Sequence, residues 1–209
     1  MGMMLPLVLM LGNAIFFHKS PFRVSISSYY YTDMRDVMTG LLFCIALFML
    51  ANKWKTYGDN ALGVFAFVAT VCVAIFPTDP PSPSQTEKLI GELHFLFSAI
   101  MFFILAIICF RFINWGKDES ALGFTDVITL NWKAEALTPR ERAENRLYVI
   151  CGFAIPGLML VMLFCYLLLG VETRERFIPI FWLEASAMFA FGFAWLIKGD
   201  ALALIGKKG

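Results

Sequence analysis

Three stretches of this chain, centred on residues 95–113, 147–171 and 178–197, are almost unbroken runs of apolar side chains. A helix needs about 20 such residues to cross the hydrocarbon core of a bilayer. A run of that length leaves little choice of solvent. Composition agrees: 59% of the 209 residues are hydrophobic and 16% are charged, against about 25% charged in a soluble domain. Disorder is excluded, because disordered chains lack the apolar surface to collapse. A net charge of +1 argues against nucleic acid, which calls for a basic surface. The five cysteines (44, 72, 109, 151 and 165) lie inside apolar runs and read as small packing residues, not a disulfide framework.

Six spans are expected, at about 3–17, 37–52, 61–76, 92–113, 147–170 and 178–197. The fold class is therefore all-α: one polytopic transmembrane helix bundle, residues 1–209, with a loop over 114–146. The runs are solidly apolar and do not alternate, so helices are favoured over a β-barrel. The first stretch lacks a basic leader and a good cleavage site, and reads as a retained helix, not a signal peptide. Of the 17 Lys and Arg, 11 fall on the face that carries both termini and the 114–146 loop, and 6 on the other. Basic residues concentrate on the cytoplasmic side, so both termini are expected there.

Local punctuation supports the segmentation. Pro77, Pro80, Pro81 and Pro83 end the third helix and keep the next loop extended. Thr138-Pro139-Arg140-Glu141 is a capping box with proline in the first turn, so a helix starts at about Pro139 and runs into the fifth span. Arg140, Arg142 and Arg146 lie where anionic headgroups attract bases. Pro156-Gly157 predicts a kink. Residues 122–132 alternate weakly and are read as a short interfacial segment. Ser186, Ala190 and Ala194 form a small-residue stripe on the sixth helix, where a homodimer or a hetero-partner can pack. Lys198 is expected to snorkel at the inner boundary.

Ionisable residues inside spans are costly and mark where to look. Glu184 is the deepest acid. Glu92 and His94 open the fourth span, Arg35 and Asp36 open the second, and Asp79 ends the third. All fall in the outer half. Glu184, His94 and Asp36 are the candidates for proton exchange. Arg35, Asp33, Tyr30, Tyr31, Glu92 and Asp79 are candidate binding residues, with an Arg beside acids able to grip a phosphate headgroup. Bland roles compete: Asp33 and Asp36 suit a helix's first turn, and the tyrosines suit an interfacial belt. An acid as deep as Glu184 must be protonated, paired or hydrated, with His94, Arg35 or a tyrosine hydroxyl as the expected partner. Two histidines cannot build a three-His zinc site. His94 with Asp79, Asp36 or Glu184 is possible by ligand type alone, so no metal and no cofactor is assigned.

The motifs Ser25-Ile-Ser-Ser-Tyr-Tyr-Tyr-Thr-Asp-Met-Arg-Asp36, Asp59-Asn60, Phe76-Pro-Thr78, Leu93-His-Phe95, Asn145-Arg-Leu-Tyr148 with Cys151-Gly152, Phe181-Trp-Leu-Glu184 and Trp195-Leu-Ile-Lys198-Gly199 resemble small bacterial membrane proteins of the domain-of-unknown-function 998 family. The resemblance covers most of the chain after Val24 and implies a six-helix inner-membrane bundle. It carries no activity across. From the residues, three functions stand open. One is binding or processing of a lipid or lipid-linked group in an outer-half polar pocket, with membrane lipids as partners. Another is a non-catalytic assembly or sensor subunit. The third is a small proton-coupled transporter, which an inward acid would serve but the lack of a repeat disfavours.

Overall fold

The computed structural model describes residues 2–52, 57–113 and 137–199, and only the backbone of residues 57–59. The 122–132 segment and most of the 114–146 loop lie outside the described residues. The described elements are helical throughout: α1 (Met4–Ile15), a short 3-10 helix (Ser27–Tyr31), α2 (Arg35–Ala51), α3 (Tyr57–Ile75), α4 (Gln85–Arg111), α5 (Pro139–Leu168), α6 (Val171–Phe177) and α7 (Pro179–Lys198).

Helix α4 begins at Gln85, nearly three turns before the apolar run at 95–113. Ser84 and Glu87 form a reciprocal capping box there, so the four orphan amides of the first turn are partly satisfied while the helix is still polar. Thr138 and Glu141 do the same for α5, with Pro139 in the first turn. Pro156 lies inside α5, which runs on without a break. The short helix α6 meets α7 at Ile178, whose φ of 44° is left-handed, a costly backbone for a β-branched residue.

Helices α4, α5 and α7 are long and apolar enough to cross a membrane, while Met4–Ile15 and Asn60–Ile75 are shorter apolar helices. The distribution of sizes fits lipid as the solvent. Ala46, Ala66, Ala187 and Ala194 are fully buried, whereas Phe65, Phe103 and Phe164 are about 60% exposed. A soluble core buries its large apolar residues first. Helices in lipid instead turn small residues inward so that backbones approach, and leave large ones outside.

Consecutive helices pack as neighbours, α2 on α3, α3 on α4, α4 on α5 and α5 on α7. Phe48 of α2 meets Trp195 of α7 with ring centroids 5.2 Å apart, and this contact closes the bundle. α1 leans on α2, and its N-terminal flank reaches α7, where Met3 fills the space a side chain at Gly192 would need. On α7 the packing face carries Ala187, Phe191 and Ala194, all buried. Of the Ser186–Ala190–Ala194 stripe, Ala194 is buried in this face, Ala190 is half-buried and Ser186 is exposed. All five cysteines are free.

The two ends of the bundle differ. At one end Lys198 donates to the Phe112 carbonyl at 2.9 Å and stands near the Phe112 and Tyr148 rings, so the expected snorkelling lysine caps the end of α4. At the other end the 16–34 segment folds back over the helices. The Phe181 amide donates to the Val24 carbonyl at 3.2 Å, and the Tyr31 hydroxyl donates to the Thr78 carbonyl at 2.6 Å. The fully buried Tyr29 donates to the Pro21 carbonyl. Burial pushes the Tyr29 hydroxyl up to about 12, with Arg23 opposing, so it stays a donor at any physiological pH.

Candidate functional site

Beneath that folded-back segment lies a cavity of about 40 Å³, room for two or three waters on a scale of roughly 10–15 Å³ each. Its polar lining is Ser27, His94, Ser98 and Glu184, and its apolar lining includes Leu5, Leu42, Val73, Phe102 and three methionines, Met38, Met101 and Met188. Glu184 sits five residues into α7, about 8 Å from its start, and His94 sits in the third turn of α4. The bundle therefore brings the deepest acid and the buried histidine to one cavity.

Neither reaches the other directly. The Glu184 carboxylate accepts the Ile26 amide at 2.5 Å, and the Ser27 amide is directed at the same group. The expected partner was His94, Arg35 or a tyrosine hydroxyl. A main-chain amide takes that place because the 24–27 backbone is laid across the N-terminal turns of α7 and presents unpaired N–H groups there. His94 is buried, with Nδ1 2.7 Å from the Phe76 carbonyl and Nε2 3.0 Å from Ser27 Oγ. A carbonyl only accepts, so Nδ1 carries the proton and donates to it. Nε2 of the neutral ring is then an acceptor, and the Ser27 hydroxyl donates to it. Both ring nitrogens are engaged, and among the described residues no group of three metal-ligating side chains gathers.

The other candidates lie elsewhere. Arg35 Nε pairs with its neighbour Asp36 at 3.1 Å on the surface, and its guanidinium stands 5.7 Å from the Tyr30 ring. Asp36 occupies the first turn of α2. Asp33 precedes that helix and pairs with Lys19 at 2.6 Å; this hydrogen bond holds its carboxyl below the usual carboxylate range. These charges form a rim at the end where the cavity lies and do not enter it. Tyr31 packs edge-on against Tyr30, and burial raises its hydroxyl. Glu92 is exposed. Residues the sequence reading passed over are Ser27, Ser98 and Tyr29. Ser27 stood inside the quoted Ser25–Asp36 motif, but nothing in the motif says which of its hydroxyls faces inward.

Asp79 lies against α4 at Gly91, where any Cβ would overlap its carboxylate. Its Oδ1 is enclosed without a hydrogen-bond partner. Burial, reinforced by Glu92, pushes its pKa up, with Lys88 and His94 opposing. A raised carboxyl favours the folded state below the ordinary carboxylate pKa, and that contribution is lost as pH rises through the folded value. Asp79→Asn should therefore remove a decline in melting temperature between the ordinary carboxylate range and neutrality. Thermal melts of both proteins from pH 4 to 7.5 check this, and parallel pH profiles would refute it.

No curated protein and no solved structure matches this chain. The sequence model of one family does, over residues 26–161. The matched region holds Ser27, Asp79 and His94 and stops within α5, before Glu184. Apolar helices and this match together fit an integral membrane protein of unknown activity. The matched family is described as protein of unknown function (DUF998), and since more than half of the chain is covered, the chain belongs to it.

Proposed function

We propose that this is a six-pass inner-membrane protein, both ends cytoplasmic, that binds or processes a lipid or lipid-linked group at its outer end. The observation that carries the reading is the amphipathic lining of the cavity. Ser27, His94, Ser98 and Glu184 line it together with Met38, Met101 and Met188. A site with a few convergent polar groups and a mainly apolar wall suits a molecule with a polar reacting end and a hydrocarbon tail. Methionine is unbranched and re-packs at low cost, so this lining can open for an acyl chain wider than the resting space. The rim pairs Lys19–Asp33 and Arg35–Asp36 lie at headgroup level in this orientation, and Arg35 suits a phosphate.

The test is photo-crosslinking of the full chain, reconstituted in vesicles of a phospholipid with a diazirine on one acyl chain. Met38 and Met101 are 4% and 7% exposed and do not meet bulk lipid. Adducts on either are the expected result. Adducts confined to outward residues such as Phe103 and Leu163 would count against a bound lipid.

A further inference from the structure

We propose that Ser27 is an acyl-accepting nucleophile and His94 its general base, acting on an ester-linked acyl group; the lipid nature of that ester rests on the reading above. A nucleophilic hydroxyl needs a base within hydrogen-bond reach, and the base needs a third group to fix its orientation. Ser27 Oγ lies 3.0 Å from Nε2 of His94, and Nδ1 is fixed by the Phe76 carbonyl at 2.7 Å. That carbonyl sets the tautomer, so the unprotonated nitrogen faces the serine. A carbonyl oxygen also stabilises the imidazolium that forms when the proton arrives. Ser27 itself is held from behind, because Glu184 grips the amide of Ile26. A serine bound to a histidine for packing alone would be sealed among apolar atoms. This pair instead lines a cavity that the three methionines also line.

The reaction balances with water as the only co-reactant. Ser27 Oγ bonds to the ester carbonyl carbon while its proton passes to His94 Nε2. The C–O bond to the alcohol breaks, and the leaving oxygen takes that proton. Water then attacks the acyl-serine, gives one proton to Nε2, and releases the acid as Ser27 Oγ is reprotonated. Ester and water become acid and alcohol, with no redox change.

The experiment treats the full chain in detergent micelles with an alkyl fluorophosphonate, reads adducts by intact mass and peptide mapping, and runs the diazirine phospholipid in parallel. A single adduct on Ser27 is expected, absent in Ser27→Ala and formed about 100-fold or more slowly in His94→Gln, the usual scale of base catalysis. The labelling rate should rise with pH as the imidazole loses its proton. Ser27→Ala leaves the buried Nε2 of His94 without its donor and should lower the melting temperature by a few degrees, so its labelling is read on chain that still melts cooperatively. No adduct on a wild-type chain that is monodisperse and melts cooperatively would overturn the nucleophile, as would labelling at another residue. Crosslinks on Met38 or Met101 without a Ser27 adduct would overturn the nucleophile and leave lipid binding standing. A Ser27 adduct without those crosslinks would keep the nucleophile and remove the lipid.

Discussion

Replacing Glu184 by alanine should lower the melting temperature by about 2–12 °C. The carboxylate accepts the Ile26 amide at 2.5 Å, and Ile26 is 5% exposed. Truncation strands that amide away from water. A buried donor left unsatisfied costs about 1–3 kcal/mol, and each kcal/mol corresponds to roughly 2–4 °C in a chain of this size. The damage should not stay local. The same backbone turn carries Ser27 to His94, and the neighbouring Val24 carbonyl accepts from Phe181. Glu184→Gln separates charge from geometry, because the amide oxygen can still accept from Ile26. Its expected cost is under about 1 kcal/mol, the difference between a charged and a neutral acceptor. Thermal unfolding of both variants in one detergent decides the matter. Equal losses would mean that the negative charge, not the hydrogen bond, anchors the 24–27 segment, and two silent variants would mean that Glu184 does not hold it at all.

Gly91→Ala should be the most disruptive change of a single methyl. A Cβ there overlaps the Asp79 carboxylate and stands 3.0 Å from the Asp79 amide nitrogen. A side-chain tip can swing aside, but a backbone nitrogen moves only with its loop. That loop begins at Phe76, whose carbonyl orients His94. Overpacking of this kind costs about 1–3 kcal/mol, and here it should also shift the acceptor of Nδ1. The expected signature is a lowered melting temperature together with slower labelling of Ser27. Gly91→Ala combined with Asp79→Ala, which clears the side-chain overlap, should recover part of both. A Gly91→Ala protein with wild-type melting and labelling would show that the loop and α4 are not held so closely.

The membrane character and the helices were legible in the residues because each depends on local chemistry. Apolar runs near 20 residues have one stable solvent and one backbone that satisfies itself there. Thr138-Pro-Arg-Glu141 encodes its own start. The same pattern at Ser84-Gln-Thr-Glu87 was equally readable, but the apolar run begins later and drew the boundary with it. Glu184 and His94 could be singled out by cost, since a charge or an imidazole in a span must find a partner.

The partners themselves were a matter of tertiary structure. Glu184 is satisfied by a main-chain amide 158 positions away, and an amide has no residue type to betray it. Arg35, Asp33 and Asp36 are near His94 in level, yet the fold turns them to the surface, where each finds an exposed partner. Tyr29 and Tyr31 are adjacent but one in sequence, opposite in fate: the first is fully buried and the second 41% exposed, because a 3-10 turn separates side chains by about 120° per residue. Ser27 became notable only when that turn aimed it at an imidazole from another helix. Sequence sets what each segment can tolerate around it, whereas hydrogen bonds between distant segments depend on how the chain crosses itself, and that is decided when the helices close on one another.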